Sequence, residues 1–385
     1  MKIGFDGRPL FTTTRGIGVY MWRLLENLLE MDPELLVSLH LRREVKEWFT
    51  HGYQGLGPAI QAQNPDRVFI CERTFPPIRV LRWFWRSSDF LPLDSSLGGI
   101  DIYHATNFVT PPLRKARGVV TIYDLIMLLP EYCVPLYQKA ELKRYISRAD
   151  TVISISEHTK RDIITTFGIP EEKVRVILLA ADERFRPLDD KDAIQRVLSR
   201  YGVAGDYILY TGPMELRKNV PALVKAYALL KAEKNVPHNL VLAGNKGGGH
   251  YEEVMAIIQR EGLEKSVLFT GFVADYDLPY LYNGASLFAF PSLYEGFGLP
   301  PLEAMACGCP VVTSNTSSLP EVVGDAGLMI DPTRPEELAE AMGRILEDRA
   351  LHGELRERGL ARAAEFSWKK CAAETMDVYR ELTGK

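Results

Sequence analysis

Short apolar runs alternate with longer amphipathic stretches along the whole chain. Several of the short runs are apolar at successive positions, which is typical of parallel strands that are covered on both faces. Strands are predicted at residues 2–7, 36–41, 67–71, 101–105, 119–124, 151–156 and 174–178 in the first half, and at residues 207–212, 239–244, 267–271, 286–290, 310–314 and 327–331 in the second.

Between the strands, apolar residues recur at the spacing of an amphipathic helix. The clearest helical patterns cover residues 17–31, 220–233, 251–263 and 335–348. A regular alternation of strands and helices predicts an α/β protein with doubly wound, mostly parallel sheets.

The length of 385 residues suggests about two to three domains at roughly 150 residues each. The charged stretch 182–193, which contains Pro187, is the predicted linker. We therefore expect two Rossmann-like domains, residues 1–186 and residues 187–366, that face each other across a cleft. Ligands of open α/β sheets bind outside the carboxyl ends of the strands, so the functional residues are expected at those ends.

The last amphipathic stretch, residues 366–382, carries large apolar side chains on one side of its predicted helix. These are Trp368, Cys371, Met376, Tyr379 and Leu382. The residues alone leave two placements open, because the helix could pack on the second domain or return to the first.

Composition narrows the class of protein. Hydrophobic residues make up 46% of the chain and charged residues 25%, as in soluble globular proteins. The net charge of −4 gives no basic field for a nucleic-acid partner. Five cysteines without zinc spacing favour a reducing cytoplasm. The start MKIGFDG resembles a strand rather than a signal segment, and no apolar run of about 18 residues predicts a membrane span.

Gly16 immediately precedes the first long predicted helix, and Gly18 lies in its first turn. Glycine lets backbone amides approach a ligand closely, and a helix N-terminus favours an anion. The sequence is neither a dinucleotide fingerprint nor a phosphate-binding P-loop. A structural role in a tight turn is the alternative.

Two adjacent cations, Arg217 and Lys218, precede the predicted helix 220–233. Cations at a helix N-terminus oppose the helix macrodipole, and an anionic ligand there would remove the conflict. Arginine can grip phosphate oxygens in a fork and lysine can act as a point charge. The alternative is a pair of solvated surface charges.

The stretch SLYEGFGLPPLEAMACGCPVV, residues 292–312, joins two predicted strands. Pro300 and Pro301 suit the first turn of a short helix and Gly308 suits its end. Glu295 then lies in the loop and Glu303 in the helix, where the two carboxylates could accept hydrogen bonds from hydroxyls of one elongated ligand. A loop charge at Glu295 and a dipole-stabilising acid at Glu303 are the alternatives.

The segment EGFGLPPLE, in which seven residues separate Glu295 from Glu303, resembles the signature of retaining GT-B glycosyltransferases of family four. The segments GIGVY, SISEHTKRDI, GPMELRKN, LFTGFV and FSWKKCAAETMDVYREL fit the same family, so the resemblance spans nearly the whole chain. It implies a GT-B fold in which the C-terminal helix, residues 367–385, crosses back to the first domain.

The resemblance implies roles for four charged residues. Glu295 would contact hydroxyls of the donor sugar, and Glu303 would bind the ribose of the nucleotide. Arg217 and Lys218 would hold the diphosphate. Arg217 would also supply the charge that many members carry after the strand that here reads YTG, where this chain has Pro213.

The remaining implied contacts come from loops. The amides from Gly16 to Gly18 would meet the diphosphate, and the backbone at Phe272 and Val273 would flank the base. Backbone amides that open the short helix would face phosphate, in the stretch formed by Gly296, Phe297, Gly298 and Leu299.

One position departs from the family. Many members have histidine before the aspartate of the motif that here reads TIYDL, and this chain has Tyr123 before Asp124. In the family that histidine lies near the donor sugar. We expect Asp124 in the reacting region and Tyr123 as a hydrogen-bond donor in place of the histidine.

The expected function is retaining transfer of a sugar from a nucleoside-diphosphate sugar to a glycan or lipid-linked acceptor. GDP-mannose is the first candidate donor, and no metal or cofactor is expected because cations and helix dipoles would stabilise the leaving phosphate. Retention could arise from a covalent carboxylate intermediate or from same-face attack. Same-face attack, in which the leaving phosphate takes the proton of the acceptor, is favoured. The alternatives are a non-catalytic nucleotide-sugar or glycan-binding protein and another GT-B enzyme such as an epimerase.

The stretch 73–93 mixes arginines with aromatic residues. This composition suits an anionic membrane surface, and it also suits a lipid-linked acceptor. It predicts a cytoplasmic protein that docks at the inner face of the membrane. The alternative is an aromatic helix in the core with its arginines at the surface.

Overall fold

The computed structural model describes residues 1–12, 16–42, 56–73, 80, 83–85, 88–90, 92–94, 97–132, 138–234, 236–245 and 249–385. The chain forms two compact units. The first consists of Met1–Leu128, Val134–Leu179 and Trp368–Lys385, and the second of Leu129–Cys133 and Ala180–Ser367.

The first unit is built on a parallel sheet of seven strands in the order β3-β2-β1-β4-β5-β6-β7. The strands are β1 (Lys2–Asp6), β2 (Leu36–Arg42), β3 (Val68–Arg73), β4 (Ile102–Ala105), β5 (Arg117–Ile122), β6 (Thr151–Ser154) and β7 (Val174–Val176). Its helices are α1 (Arg8–Thr12), α2 (Ile17–Met31), α3 (Leu56–Gln63), α4 (Lys139–Arg148) and α5 (Glu157–Phe167).

The second unit has a parallel sheet of six strands in the order β10-β9-β8-β11-β12-β13. The strands are β8 (Tyr207–Thr211), β9 (Asn239–Ala243), β10 (Val267–Gly271), β11 (Leu287–Phe290), β12 (Val311–Ser314) and β13 (Leu328–Ile330). The helices are α6 (Lys191–Arg200), α7 (Val220–Lys234), α8 (Tyr251–Arg260), α9 (Leu278–Gly284), α10 (Leu299–Ala306), α11 (Leu319–Val323), α12 (Pro335–Glu347) and α13 (Arg349–Ala363).

Both sheets confirm the expected α/β class. Each predicted strand overlaps an observed one, and the strand order reverses direction beside β1 in one sheet and beside β8 in the other. The middle strands are buried along their length, since helices cover both faces, and this explains their apolar runs without alternation.

The C-terminal helix α14 (Trp368–Thr383) belongs to the first unit, as the family resemblance implied. The ring of Trp368 lies 6.1 Å from that of Tyr20 on α2. The hydroxyl of Tyr379 lies 2.6 Å from Nδ1 of His104 on β4. The placement that the residues alone left open is therefore decided in favour of the first unit.

The predicted linker 182–193 is not a uniformly exposed connection. Phe185 is buried, and Lys191 already begins α6, for which the Asp190 carboxylate accepts the N–H of Ala193 at 2.8 Å. The second unit begins at Ala180. A charge-rich composition marked the stretch as a linker, but the capping of α6 and the burial of Phe185 make its ends part of the folded unit.

Within the described residues, no helix combines the length and the apolar character that a membrane crossing requires.

Candidate active site

The Glu295 carboxylate is shared between two cations. Lys218 Nζ donates to its Oε1 at 2.6 Å, and Arg217 NH1 donates to its Oε2 at 2.8 Å. The hydroxyl of Ser292 also donates to Oε1 at 2.6 Å. The fold therefore brings Glu295 together with two adjacent predicted site residues that lie 77 and 78 positions before it in the chain.

Backbone contacts hold the two loops against each other. Arg217 and Lys218 lie on a 3-10 turn (Leu216–Lys218) after β8, and the loop of Glu295 follows β11. The carbonyl of Arg217 accepts the N–H of Leu293 at 2.7 Å and the hydroxyl of Ser292 at 2.9 Å. Because β8 and β11 are neighbours in the sheet, their carboxyl ends place these loops side by side.

Lys218 is a buried cation, with its side chain 7% exposed. Its ammonium lies 4.7 Å from the centre of the Phe290 ring. Burial lowers the pKa of Lys218, although the Glu295 carboxylate opposes this effect. Among the described residues, only Glu295 accepts a hydrogen bond from its three N–H donors, so donors remain for an anionic ligand.

Glu295 is held in its ionised form. Burial by itself would raise the pKa of this carboxyl, but Lys218, Arg217 and the hydroxyl of Ser292 together hold it below its ordinary value. The three charges therefore form a cluster that the protein alone preorganises.

A second loop, after β12, supports the backbone at Glu295. The N–H of Glu295 donates to the Ser317 hydroxyl at 3.0 Å, and the hydroxyl of Ser318 donates to the Glu295 carbonyl at 2.9 Å. Ser317 has a φ of 54°, in the left-handed region. These two hydroxyl residues therefore fix both backbone polar groups of Glu295.

The short helix α10 begins and ends as the sequence predicts. Gly298 precedes it with a φ of 126°, where a Cβ atom would also lie 2.9 Å from Leu319, and Gly308 follows it with a φ of 73°. Pro300 and Pro301 occupy its first turn. Because proline has no N–H group, Leu299 is the only one of the first three helical residues with an amide donor. If the helix N-terminus faces phosphate, Leu299 is therefore the only one of these three residues whose N–H group could bind it.

Glu303, on α10, has a different environment from Glu295. Its Oε2 accepts the hydroxyl of Tyr282 at 3.1 Å, and Oε1 has no partner among the described residues. Burial raises the pKa of Glu303 to about 8, helped by Asp275 and Asp182, whereas Tyr282 and Arg184 act in the opposite direction. At neutral pH these surroundings hold Glu303 mainly as the neutral acid.

The residues expected to flank the base lie at the carboxyl end of β10. Phe272 is 58% exposed, whereas Val273 is buried. Gly271 precedes them with a φ of 69°, so the chain turns sharply as it leaves the strand. Phe272 therefore presents an exposed aromatic ring at the carboxyl end of the edge strand β10.

In the first unit, Gly16 and Gly18 lie at the start of α2. Gly16 is the residue before the helix and has a φ of 56°, and a Cβ atom added to it would meet no described group within 4 Å. Gly18 is buried within the first turn. The positive φ shows that Gly16 serves the turn into α2.

Tyr123 and Asp124 follow β5. The hydroxyl of Tyr123 donates to the carbonyl of Thr106 at 3.0 Å and the side chain is buried. Its one proton is thus already used, and donation to a sugar would require this bond to break. Asp124 Oδ1 accepts the N–H of Ile126 at 3.1 Å.

Several residues of the site were not predicted from the sequence. Ser292, Ser317 and Ser318 brace Glu295, and Tyr282 contacts Glu303. The run NTSS directly after the predicted strand 310–314 was the available signal for Ser317 and Ser318. Tyr282 gave no signal, because it lies in an ordinary apolar helix pattern.

No group of three or more His, Cys, Asp or Glu side chains within the described ranges has the arrangement of a metal site.

Two family models match the chain. Residues 14–185 match the model of Glycosyltransferase Family 4, and residues 202–363 match the model of Glycosyl transferases group 1. The second match contains Arg217, Lys218, Glu295 and Glu303.

Curated relatives of this chain are also named as glycosyltransferases. The O-antigen chain mannosyltransferase B of Escherichia coli is 38% identical over 403 aligned positions, covering 99% of this chain and 100% of that protein. The serotype-specific mannosyltransferase WbdA of the same organism is 38% identical over 273 positions, which are 69% of this chain but 34% of that longer protein.

Solved structures share the fold. The protein HepE from Anabaena, in complex with UDP and glucose, superposes with a TM-score of 0.71 at 20% identity, covering 99% of this chain and 100% of that one. Sucrose-phosphate synthase from Thermosynechococcus elongatus gives a TM-score of 0.73 at 20% identity, with coverage of 100% and 99%. The two parallel sheets, the two family models and the relative similar along its full length show that the chain belongs to the GT-B glycosyltransferases of family 4, the group 1 glycosyl transferases.

Proposed function

We propose that this glycosyltransferase moves a mannosyl residue from GDP-mannose to a glycan or lipid-linked acceptor with retention of anomeric configuration. The observation that carries the proposal is the cluster of Lys218, Arg217 and Glu295, in which Lys218 and Glu295 are buried and the half-buried Arg217 completes the ion pairs. The choice of mannose is supported by the names of the two Escherichia coli relatives.

The two cations would stabilise the leaving nucleoside diphosphate. Breaking the bond between sugar and phosphate places negative charge on the phosphate, and preorganised donors there lower the barrier. Lys218 has N–H groups that no described residue accepts, and it lies beside Arg217. Together with the amides near Gly298 and Leu299 they would supply this stabilisation without a divalent ion.

Retention follows more readily from same-face attack than from a covalent intermediate. Both oxygens of Glu295 are engaged by cations, and Ser292 adds a third donor. A carboxylate held in this way is a weak nucleophile, because attack on the sugar would separate it from its partners. We therefore assign Glu295 to the sugar hydroxyls, with the leaving phosphate accepting the proton of the acceptor.

The nucleotide would extend from this cluster towards Glu303. The free oxygen of Glu303 would accept hydroxyl groups of the ribose, and the exposed Phe272 beside Val273 would flank the base. From the first unit, the amides from Gly16 to Gly18 would meet the diphosphate, and Asp124 would lie near the reacting carbon. Tyr123 would act there through its acceptor lone pairs, since its O–H group donates its hydrogen bond to the Thr106 carbonyl.

The membrane proposal for residues 73–93 rests on a few described side chains. Trp83 and Phe90 are 64% and 68% exposed, whereas Trp85 is buried. The side chains of Arg73, Phe75, Arg79, Arg82 and Arg86 lie outside the described residues. Exposed aromatic rings favour docking of a cytoplasmic enzyme at the inner face of an anionic membrane, where a lipid-linked acceptor would be found.

One experiment tests the function. The purified protein is incubated with GDP-, UDP-, ADP- and dTDP-sugars in the presence of EDTA and a mannan-type or lipid-linked acceptor, and the anomeric configuration of the product is read by NMR. We expect an α-linked product from GDP-mannose alone. An inverted product, or a requirement for added metal, would contradict the mechanism.

The same reactions separate the rival functions. Binding of GDP-mannose without hydrolysis or transfer would identify a non-catalytic binding protein. Conversion of the donor sugar in the absence of any acceptor would identify an epimerase.

A further inference from the structure

A chain of three hydroxyl and carboxyl groups ends at Glu303. Tyr282 on α9 donates its hydroxyl to Glu303 Oε2 at 3.1 Å, and the same hydroxyl lies 2.9 Å from Oγ1 of Thr211 at the end of β8. Thr211 and Tyr282 are both buried. Three separate elements of the second unit therefore meet around one phenol oxygen.

Ionisation of Glu303 would fix the direction of this chain. An ionised carboxylate only accepts hydrogen bonds, so the single proton of Tyr282 must point to Glu303. The hydroxyl of Thr211 then donates to the oxygen of Tyr282. When Glu303 is ionised, Thr211 donates to Tyr282, and Tyr282 donates to Glu303.

Aromatic packing holds the phenol in place. The ring of Tyr282 lies 5.3 Å from Phe288 and 5.8 Å from Phe185, in both cases edge to face. Tyr282 is 1% exposed, so its hydroxyl cannot turn towards solvent. A fixed donor at Oε2 leaves Oε1 of Glu303 as the oxygen that can meet a ligand.

The surroundings oppose ionisation of this carboxyl. Asp182 and Asp275 are like charges that face Glu303, and Arg184 is the cation that opposes them. The Arg184 guanidinium is itself paired with Asp182 at 3.2 Å. Tyr282 is thus the neutral group whose hydrogen bond most directly favours the ionised form of Glu303.

We propose that Tyr282 is a positioning residue for nucleotide recognition, which together with Thr211 aims the Glu303 carboxylate at the ribose hydroxyls and favours its ionised form when the nucleotide binds. This inference rests on the proposed role of Glu303 at the ribose.

The test compares nucleotide affinity across pH. Calorimetric titrations with GDP and UDP between pH 6 and pH 9 are made on the wild type, Tyr282→Phe, Thr211→Val and Thr211→Ser. We expect Tyr282→Phe to weaken binding about tenfold at pH 7, since a hydrogen bond to a charged group is lost. The pH at which affinity is half-maximal moves upwards. Thr211→Val has a smaller effect of the same sign, and Thr211→Ser restores wild-type behaviour.

A matched control removes another buried phenol hydroxyl. Tyr227 is buried and donates to the carbonyl of His238 at 2.8 Å, away from Glu303. Tyr227→Phe is expected to leave the pH profile of nucleotide binding unchanged. An equal change in Tyr227→Phe, or an unchanged midpoint in Tyr282→Phe, would overturn the inference.

Failure of the inference can be told apart from failure of the proposed function. If Glu303→Ala binds nucleotide as well as the wild type, the role of Glu303 at the ribose is wrong. If Glu303→Ala weakens binding but Tyr282→Phe leaves both affinity and pH profile unchanged, only the role of Tyr282 is wrong. Thermal denaturation of each variant shows whether it is folded.

Discussion

Lys218 Nζ lies 2.6 Å from Oε1 of Glu295, in a position where both side chains are almost fully buried. A buried ion pair is expensive to break, because removal of one partner leaves an uncompensated charge. Glu295 therefore neutralises cations that, in the proposed function, serve a diphosphate. Without a bound nucleotide, the Glu295 carboxylate supplies the negative charge that the diphosphate would supply.

Replacement of Glu295 by glutamine should destabilise the protein by about 3 kcal/mol when no nucleotide is added, because Lys218 and Arg217 lose their shared anion. Added GDP should recover part of this loss, since its phosphates supply the missing charge. Thermal denaturation with and without GDP measures both effects. Glu357→Gln, at an exposed position, is the control and should change neither. If GDP stabilises Glu295→Gln no more than the wild type, the phosphates do not lie at these cations.

Replacement of Lys218 by alanine should lower kcat about 100-fold or more, which is the usual effect of removing one donor that stabilises developing negative charge. GDP should also bind more weakly. Lys225→Ala is the control, because Lys225 is exposed on the helix that follows and has only a distant ion pair at 3.9 Å with Glu253. Initial rates and GDP titrations give the result, and wild-type turnover by Lys218→Ala would remove this residue from the site.

Binding of the nucleotide should release a proton below about pH 8. The pKa of Glu303 is about 8 in the folded protein, and ribose hydroxyls that donate to the carboxylate would lower it. The ionised form is then favoured on binding, so affinity rises from pH 6 to pH 9. Calorimetry in two buffers of different ionisation enthalpy counts the protons. Glu303→Gln should abolish the release, and an unchanged release in that variant would show that another group titrates.

The same carboxyl should affect stability with a definite sign. Its pKa is raised in the folded protein, so the folded state binds the proton more tightly than the unfolded state. Stability therefore falls as pH rises from about 4.5 to about 8. Glu303→Gln should lose this part of the pH dependence. The free energy of unfolding of the variant, compared with that of the wild type, should therefore be higher at pH 9 than at pH 4. Urea denaturation at the two pH values measures the difference.

The loop of Glu295 also receives an aromatic contact from Tyr132. Its ring stacks on that of Tyr294 at 6.4 Å, one residue before Glu295, and the segment Leu129–Cys133 belongs to the second unit although its neighbours in the chain belong to the first. Aromatic pairs contribute about 0.5–1.5 kcal/mol. Tyr132→Ala should therefore reduce kcat/KM for the donor by about two- to tenfold, whereas Tyr132→Phe keeps the ring and should be neutral. Equal rates for the two variants would exclude a role for the stacking.

The sequence was sufficient for the elements that local patterns determine. The apolar runs marked the strands, and Pro300 and Gly308 marked the two ends of α10, because proline and glycine act on the backbone where they stand. The strand ends then indicated where Lys218 and Glu295 would lie.

Properties that depend on distant partners were not accessible in this way. Ser317 lies 22 residues after Glu295, and Tyr282 lies 21 residues before Glu303, so neither contact has a local pattern. The contrast between an ionised Glu295 and a mainly neutral Glu303 arises from burial and from the neighbouring charges, which the fold alone brings together. Tyr123 is similar, because its hydroxyl was expected to donate to a ligand, and in the fold it donates its hydrogen bond to the Thr106 carbonyl.

The return of α14 to the first unit has a consequence for the order of folding during synthesis. The ribosome makes residues 180–367 before it makes Trp368 and Tyr379, whose side chains complete the interior beside Tyr20 and His104. The unit that begins the chain is therefore finished after the unit that follows it. Until then, the surface of α2 that α14 will cover is an apolar surface exposed to other nascent chains and to chaperones.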